Sequence, residues 1–258
     1  MLRSMYSGIT GMKNMQTKLD VIGNNIANVS TYGFKKGRVT FKNEISQLVA
    51  GASAPNGNMG GTNAKQVGLG SSISSIDTIH EPGSMQTTGR TLDLAISGDG
   101  YFVLSKDGGA TKYFSRAGNF YLDDDGTLVN SEGYKVLGTN NAPITITGVE
   151  SFSISPDGSI VGVVNATPTN KGTIQVVSFN NSGGLESVGG NLYQQTGNSG
   201  APIAATGTSV VSGKLEMSNV DLSEEFTEMI VAQRGFQANT RIITTSDEIL
   251  QELVNLKR

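Results

Sequence analysis

The sequence predicts an α+β protein in which an N-terminal and a C-terminal helix pair as a coiled coil and a central domain is mostly antiparallel β. Two observations carry that expectation. Near the start, Met5, Met12, Leu19 and Ile26 stand seven residues apart, and near the end Leu222, Met229, Phe236, Ile243 and Leu250 do the same. A seven-residue apolar repeat keeps one seam turned toward a partner helix. Between them the chain is rich in Gly, Ser, Thr and Asn, alternates apolar with polar residues, and is punctuated by turn sequences, the pattern of strands and hairpins. The expected organisation is a helical domain from residues 1–30 plus 220–258, an extended connector over 31–90, and a β-rich domain over 91–219.

In the first helix Leu2, Ile9, Met15 and Ile22 widen the stripe, while Gly8, Gly11 and Gly23 interrupt it. Each glycine costs about 1 kcal/mol relative to Ala in a helix interior, so the helix depends on docking its apolar face. The same glycines let another backbone approach closely. An ordinary helix pair closing a globular domain fits this pattern as well as an assembling one does. Residues 28–34 read as a helix stop and turn, and residues 39–49 as a short helix or strand. Residues 51–70, mostly Gly, Ala, Ser and Asn, read as an extended or mobile connector.

Strand signals begin at residues 73–79 and become clear at Leu92-Asp93-Leu94-Ala95-Ile96. Hairpin-like pairs follow at 101–104 and 112–115 and at 119–122 and 128–129, then 134–137. Their turns are Asp107-Gly108-Gly109 and Asp124-Asp125-Gly126. Further strands are expected at 144–146, 152–154, 160–164 and 174–179, and the β region ends near Gly213. A polar link, Met217-Ser218-Asn219-Val220-Asp221, leads into the last helix. Asp221 or Ser223 is placed to cap it, and Glu224 and Glu225 sit at its positive end. At some 35 residues that helix spans about 50 Å, too long for a small domain to cover by itself.

The residues for catalysis or cofactor binding do not converge. His80 has no second histidine and no cysteine with which to form a common zinc site. Asp123-Asp124-Asp125-Gly126 lacks the alternating ligands and closing Glu of a calcium loop and reads as an acidic turn. Gly98-Asp99-Gly100 precedes another strand, so it presents no helix N-terminus to a phosphate. Tyr101, Tyr113 and Tyr121 read as half-buried strand residues, with a glycan- or protein-binding groove as the other reading. No cofactor or metal is expected.

The 258 residues carry a formal net charge of −3 and no cysteine. Lys35-Lys36-Gly37-Arg38 reads as a solvated turn, so no nucleic-acid partner is expected. No apolar run is long enough to span a bilayer, and Ser4, Thr10, Lys13 and Asn14 break any signal-peptide core.

Three stretches resemble a known family. Asp20-Val21-Ile22-Gly23-Asn24-Asn25-Ile26-Ala27-Asn28 with Thr31-Tyr32-Gly33-Phe34-Lys35 resembles the N-terminal signature of the bacterial flagellar rod and hook axial proteins. Thr88-Gly89-Arg90-Thr91-Leu92-Asp93-Leu94-Ala95-Ile96, followed by Gly100-Tyr101-Phe102 and Tyr113-Phe114-Ser115-Arg116-Ala117-Gly118-Asn119-Phe120, resembles that family's β domain. Ser218-Asn219-Val220-Asp221-Leu222 and Gln233-Arg234-Gly235-Phe236-Gln237-Ala238-Asn239 resemble its closing helix. The resemblance implies a structural protein, not an enzyme. Its terminal helices would line a helical tube around a central channel, with the β domains outside.

It also implies export of an unfolded chain through the flagellar type III apparatus to a place in the hook or basal body outside the cell. The implied partners are further copies of the chain and other axial proteins: rod subunits, the hook cap and the hook–filament junction proteins. Asn24, Asn25, Asn28, Gly33, Phe34, Arg116 and Asn119 are the motif residues. The heptad residues Met5, Met12, Leu19, Ile22, Ile26, Leu222, Met229, Phe236, Ile243 and Leu250 would be the subunit interface. Residues 31–38 and 86–90 are more similar to hook proteins, and the 51–70 connector to short hook proteins of Gram-positive bacteria. A hook subunit is therefore the main expectation, with the distal rod protein, which the length resembles, as the alternative.

Overall fold

The computed structural model describes residues 2–55, 60–164 and 167–256. Residues 56–59, at the centre of the expected connector, and residues 257–258, at the end of the expected helical domain, lie outside that set. The chain divides into two compact units: one of Met1–Ile26, Gly37–Asp77 and Asp221–Arg258, the other of Ala27–Lys36 and Thr78–Val220.

The first unit holds both long helices, α1 (Leu2–Ala27) and α2 (Leu222–Asn255). They run antiparallel: Asn25 meets Glu225, Gly235 faces Met15, and Gly8 faces Ile243. Helix α2 starts where its sequence says it should. Asp221 is extended, and its Oδ1 accepts from the backbone N–H of Ser223 at 2.8 Å and of Glu224 at 3.4 Å, satisfying donors that a helix start leaves without partners. Within 31–90, the expected extended connector region, five strands form. Gly37–Asn43 pairs with Ser71–Thr78, Ser46–Ala50 pairs antiparallel with Lys65–Gly68, and Met85–Thr87 pairs with Lys214–Glu216. The Ser46–Ala50 hairpin keeps Ile45, Leu48, Val49 and Val67 exposed.

The second unit is built on the strand Tyr101–Ser105, every residue of which is buried. One edge pairs with Lys112–Ser115. The other is shared, Tyr101 and Phe102 pairing with Val177 and Val176, and Leu104 and Ser105 with Val136 and Lys135; all of these pairs are antiparallel. Because strand side chains alternate faces, Phe102 and Leu104 enter one apolar cluster with Leu94, Ile96, Phe120, Leu128 and Ile160. Tyr101 and Val103 enter a second with Phe114, Leu137 and Tyr193. Both faces of the strand are therefore core, which is why its sequence is a continuous apolar run. The expected strand at 144–146 contributes its apolar residues Ile144 and Ile146 to the core, but only an isolated bridge at Thr145 to the sheet.

Candidate functional site: helix seam and buried charge junction

The helix seam is centred on small and polar side chains. Along α2, Glu225, Ala232 and Ser246 are buried, with half-buried Asn239 completing a seven-residue spacing. Asn25 is the best-tied residue of α1. Its Nδ2 donates to Gly37 O (2.9 Å) and to Glu225 Oε2 (3.1 Å), and its Oδ1 accepts from Gly37 N–H (2.9 Å). One buried amide thus joins three segments of this unit. Asn14 Nδ2 similarly donates to the carbonyl of Ser71 at 2.8 Å, and Lys18 pairs with Glu228. Directional bonds of this kind fix which residues of two helices lie opposite each other, where apolar contacts alone would tolerate sliding.

The β unit carries a second constellation that the sequence did not announce. The Glu216 carboxylate is enclosed by two cations: Oε1 lies 2.5 Å from Lys35 Nζ and Oε2 3.2 Å from Arg116 Nη1. All three side chains are at most 1% exposed. Glu216 Oε1 also accepts from Gly83 N–H at 2.9 Å, Lys35 Nζ donates to Glu81 O at 2.7 Å, and Arg116 Nη2 donates to Gly98 O at 2.9 Å. Burial draws the Lys35 pKa down, opposed by the attraction of Glu216. The backbone follows the same path. Gly33 N–H donates to Glu216 O (2.8 Å), Lys36 N–H to Asn219 Oδ1 (2.7 Å), Ile79 N–H to Lys36 O (2.9 Å), and Asn219 Nδ2 to Ile79 O (2.9 Å). Three of the places where the chain enters or leaves the unit, at Lys36, Thr78 and Val220, adjoin this knot.

The expected residues fall into distinct groups. Ile22 is buried, and Met5, Met12, Leu19, Ile26, Met229, Ile243 and Leu250 are half-buried. Met12 Sδ accepts from Thr240 Oγ1 at 3.4 Å. Leu222 and Phe236 are the most exposed of the set, 40% and 36%. Among the motif residues Asn25, Gly33 and Arg116 are buried, Asn28, Phe34 and Asn119 half-buried, and Asn24 is exposed. Asn28 Oδ1 accepts from Thr31 Oγ1 at 3.2 Å, closing the turn after α1. Gly33 has φ +69°, and a Cβ there would sit 2.6 Å from Ala117 N. No other residue fits that turn.

Asn119 pairs across a bridge with Asp93 and lines a shallow polar cavity of about 180 Å³ with Thr31, Tyr32 and Asn191. The reading of Lys35 as a solvated turn residue is corrected: it is the buried cation of the knot, and its aliphatic stem and its Glu216 partner offset the loss of water. Tyr101 is fully buried and not half-buried. Glu216 falls on a polar position of the alternating run Lys214-Leu215-Glu216-Met217-Ser218, so the sequence reads it as solvent-facing and does not mark its burial.

Family models match three stretches of the chain. Residues 5–35 match the model described as flagella basal body rod protein, residues 95–162 the flagellar hook protein FlgE/F/G D1 domain, and residues 211–256 the flagellar basal body rod FlgEFG protein C-terminal. The flagellar basal-body rod protein FlgG of Bacillus subtilis (strain 168) is 61% identical over 267 aligned residues, covering 100% of each chain. The chain belongs to the flagellar rod and hook protein family. It is a structural component of the bacterial flagellum and not an enzyme. Borreliella burgdorferi provides two further relatives of this family, each covered over 100% of both chains: a rod protein FlgG at 38% identity over 267 residues and a hook protein FlgE at 31% over 443. The match at residues 5–35 ends on Lys35, and the match at 211–256 contains its partner Glu216, so the first and last family segments supply the two ends of the buried ion pair. Among the described residues no helix is long and apolar enough to cross a membrane.

Proposed function

We propose that the chain is a subunit of the distal flagellar rod, the driveshaft of the basal body, and not of the hook. The observation that carries this is the comparison of rod and hook relatives from one bacterium. The chain is 38% identical to the Borreliella burgdorferi rod protein over an alignment close to its own length, but 31% identical to the hook protein, whose alignment runs to 443 positions. The Bacillus subtilis rod relative at 61% points the same way. The hook expectation rested on short motifs at 31–38 and 86–90 and on the 51–70 connector, which full-length identity outweighs.

The subunit polymerises with further copies through its helices, meets other axial proteins at the two ends of its segment, and reaches that place through the flagellar type III export apparatus. Large apolar side chains turned away from the α1–α2 seam, Phe226, Ile230, Ile242 and Ile249 among them, support contacts with neighbouring copies. The exposed apolar hairpin at Ser46–Ala50 and Lys65–Gly68 supports a packing element more than a slack linker, since a lone two-stranded hairpin is barely stable in water. Electron microscopy of basal bodies from a strain lacking the gene tests the reading. A truncated rod is the expected result; a complete rod bearing no hook would return the chain to the hook.

A further inference from the structure

The chain has one histidine, His80, and it lies beside the buried charge junction. Its Nδ1 is 2.8 Å from Tyr101 Oη, and its ring packs edge-on against Tyr101 and Tyr193 at centroid distances of 6.0 and 5.5 Å. The Arg116 guanidinium stands over the Tyr101 ring at 5.4 Å. Lys35 and Arg116 are the cations that act on the imidazole, and both already share the Glu216 carboxylate. The other ionisable groups nearby do not compensate. Glu81, next in the chain, is exposed and contributes its backbone carbonyl to Lys35; Asp99 is exposed; burial keeps the Tyr101 and Tyr193 phenols protonated. Neutral imidazole can donate to or accept from Tyr101, but imidazolium can only donate.

We propose that His80 makes this junction an acid-released clasp: its protonation sets a third cation against Lys35 and Arg116 and loosens the tie among residues 31–36, 79–83 and 214–219. The physical basis is electrostatic and steric together, since the imidazole packs against two tyrosines and, among the described residues, no carboxylate pairs with it. Burial, and then the charges of Lys35 and Arg116, draw the His80 pKa from 6.5 to about 4. A depressed histidine binds its proton more weakly in the folded chain than in the unfolded one. Its stabilising contribution is therefore complete above pH 6.5 and lost as pH falls from there to about 4. Over that window the unfolding equilibrium constant rises roughly 30-fold by pH 5 and roughly 150-fold by pH 4.

Because there is one histidine, its imidazole resonance can be followed by NMR in the unmodified full chain without assignment. Titration near pH 4 is expected; titration near 6.5 overturns the proposal. Urea unfolding of the full chain and of His80→Gln at pH 7.5 and pH 5 gives the second readout. The unmodified chain is expected to lose roughly 30-fold in stability that the variant, which keeps a hydrogen-bonding group opposite Tyr101, retains. Equal losses overturn the clasp. Should His80→Gln not fold, the imidazole titration decides alone.

Discussion

Replacing Glu216 by Gln removes one negative charge from a place where it faces two positive ones. Lys35 and Arg116 remain, with side chains at most 1% exposed. Breaking one partner from a buried ion pair costs about 3–5 kcal/mol. The two cations do not double that figure. Lys35 can shed its proton, since burial already lowers its pKa. An expected loss of about 3–5 kcal/mol corresponds to a urea midpoint lower by roughly 2 M at a typical slope. Tyrosine fluorescence of the full chain reports it well, because the chain has no tryptophan and Tyr101 and Tyr193 sit in the affected core. Replacing all three residues at once, by Met at 35 and 116 and Leu at 216, should recover most of the loss, as apolar substitutes for buried ions often do. A single-variant loss below about 1 kcal/mol would refute the claim that the carboxylate holds the knot together.

Gly118→Ala should destabilise the β unit by more than about 3 kcal/mol, because the new Cβ would stand 1.7 Å from Leu94 O, itself in a strand. Gly197→Ala, with open space at its Cβ, is the control and should change the thermal midpoint little. Asn25→Ala strands the Gly37 N–H and C=O groups and should cost about 1–3 kcal/mol, read as earlier loss of helical circular dichroism on heating. Phe236→Asp is expected to lower the thermal midpoint of the isolated chain only modestly and to abolish polymerisation, scored by negative-stain microscopy. Normal polymers from that variant would remove Phe236 from the interface.

The elements that could be read from sequence are those whose signal is local. The long helices show period-seven stripes, the Asp221 cap is a preferred residue type, and the Gly108, Gly126 and Gly158 turns all adopt positive φ, as their Asp-Gly sequences predict. What could not be read are the partnerships. Lys35 and Glu216 are 181 residues apart, and nothing near either announces the other. The strands Thr167–Thr173 and Glu186–Gly189 contain Pro, Asn and Gly, and take their conformation from pairing with Ser159–Val164 and Leu192–Gln194. Lys35 looked solvated because charge clusters normally are; its burial depends on a carboxylate delivered from the far end of the chain.

The seven-residue stripe of α2 deserves a physical account of its own, because the helix pair uses a different register from the one its large apolar residues suggest. The most buried positions of α2 are Glu225, Ala232 and Ser246, with Asn239, Met229, Ile243 and Leu250 half-buried and Phe236 and Leu222 more exposed. Val231, Ile242, Ile249 and Leu253 are all exposed and lie within about 40° of one another around the axis. An ordinary surface helix does the reverse, burying its large apolar face and exposing small and polar residues. Polar groups at the seam set direction and register at a cost in stability, and the glycines of α1 add to that cost. Such a pair is well specified and weakly held, and the apolar area that would secure it is available to neighbours. That distribution suits a chain whose helices are stabilised by the polymer they build.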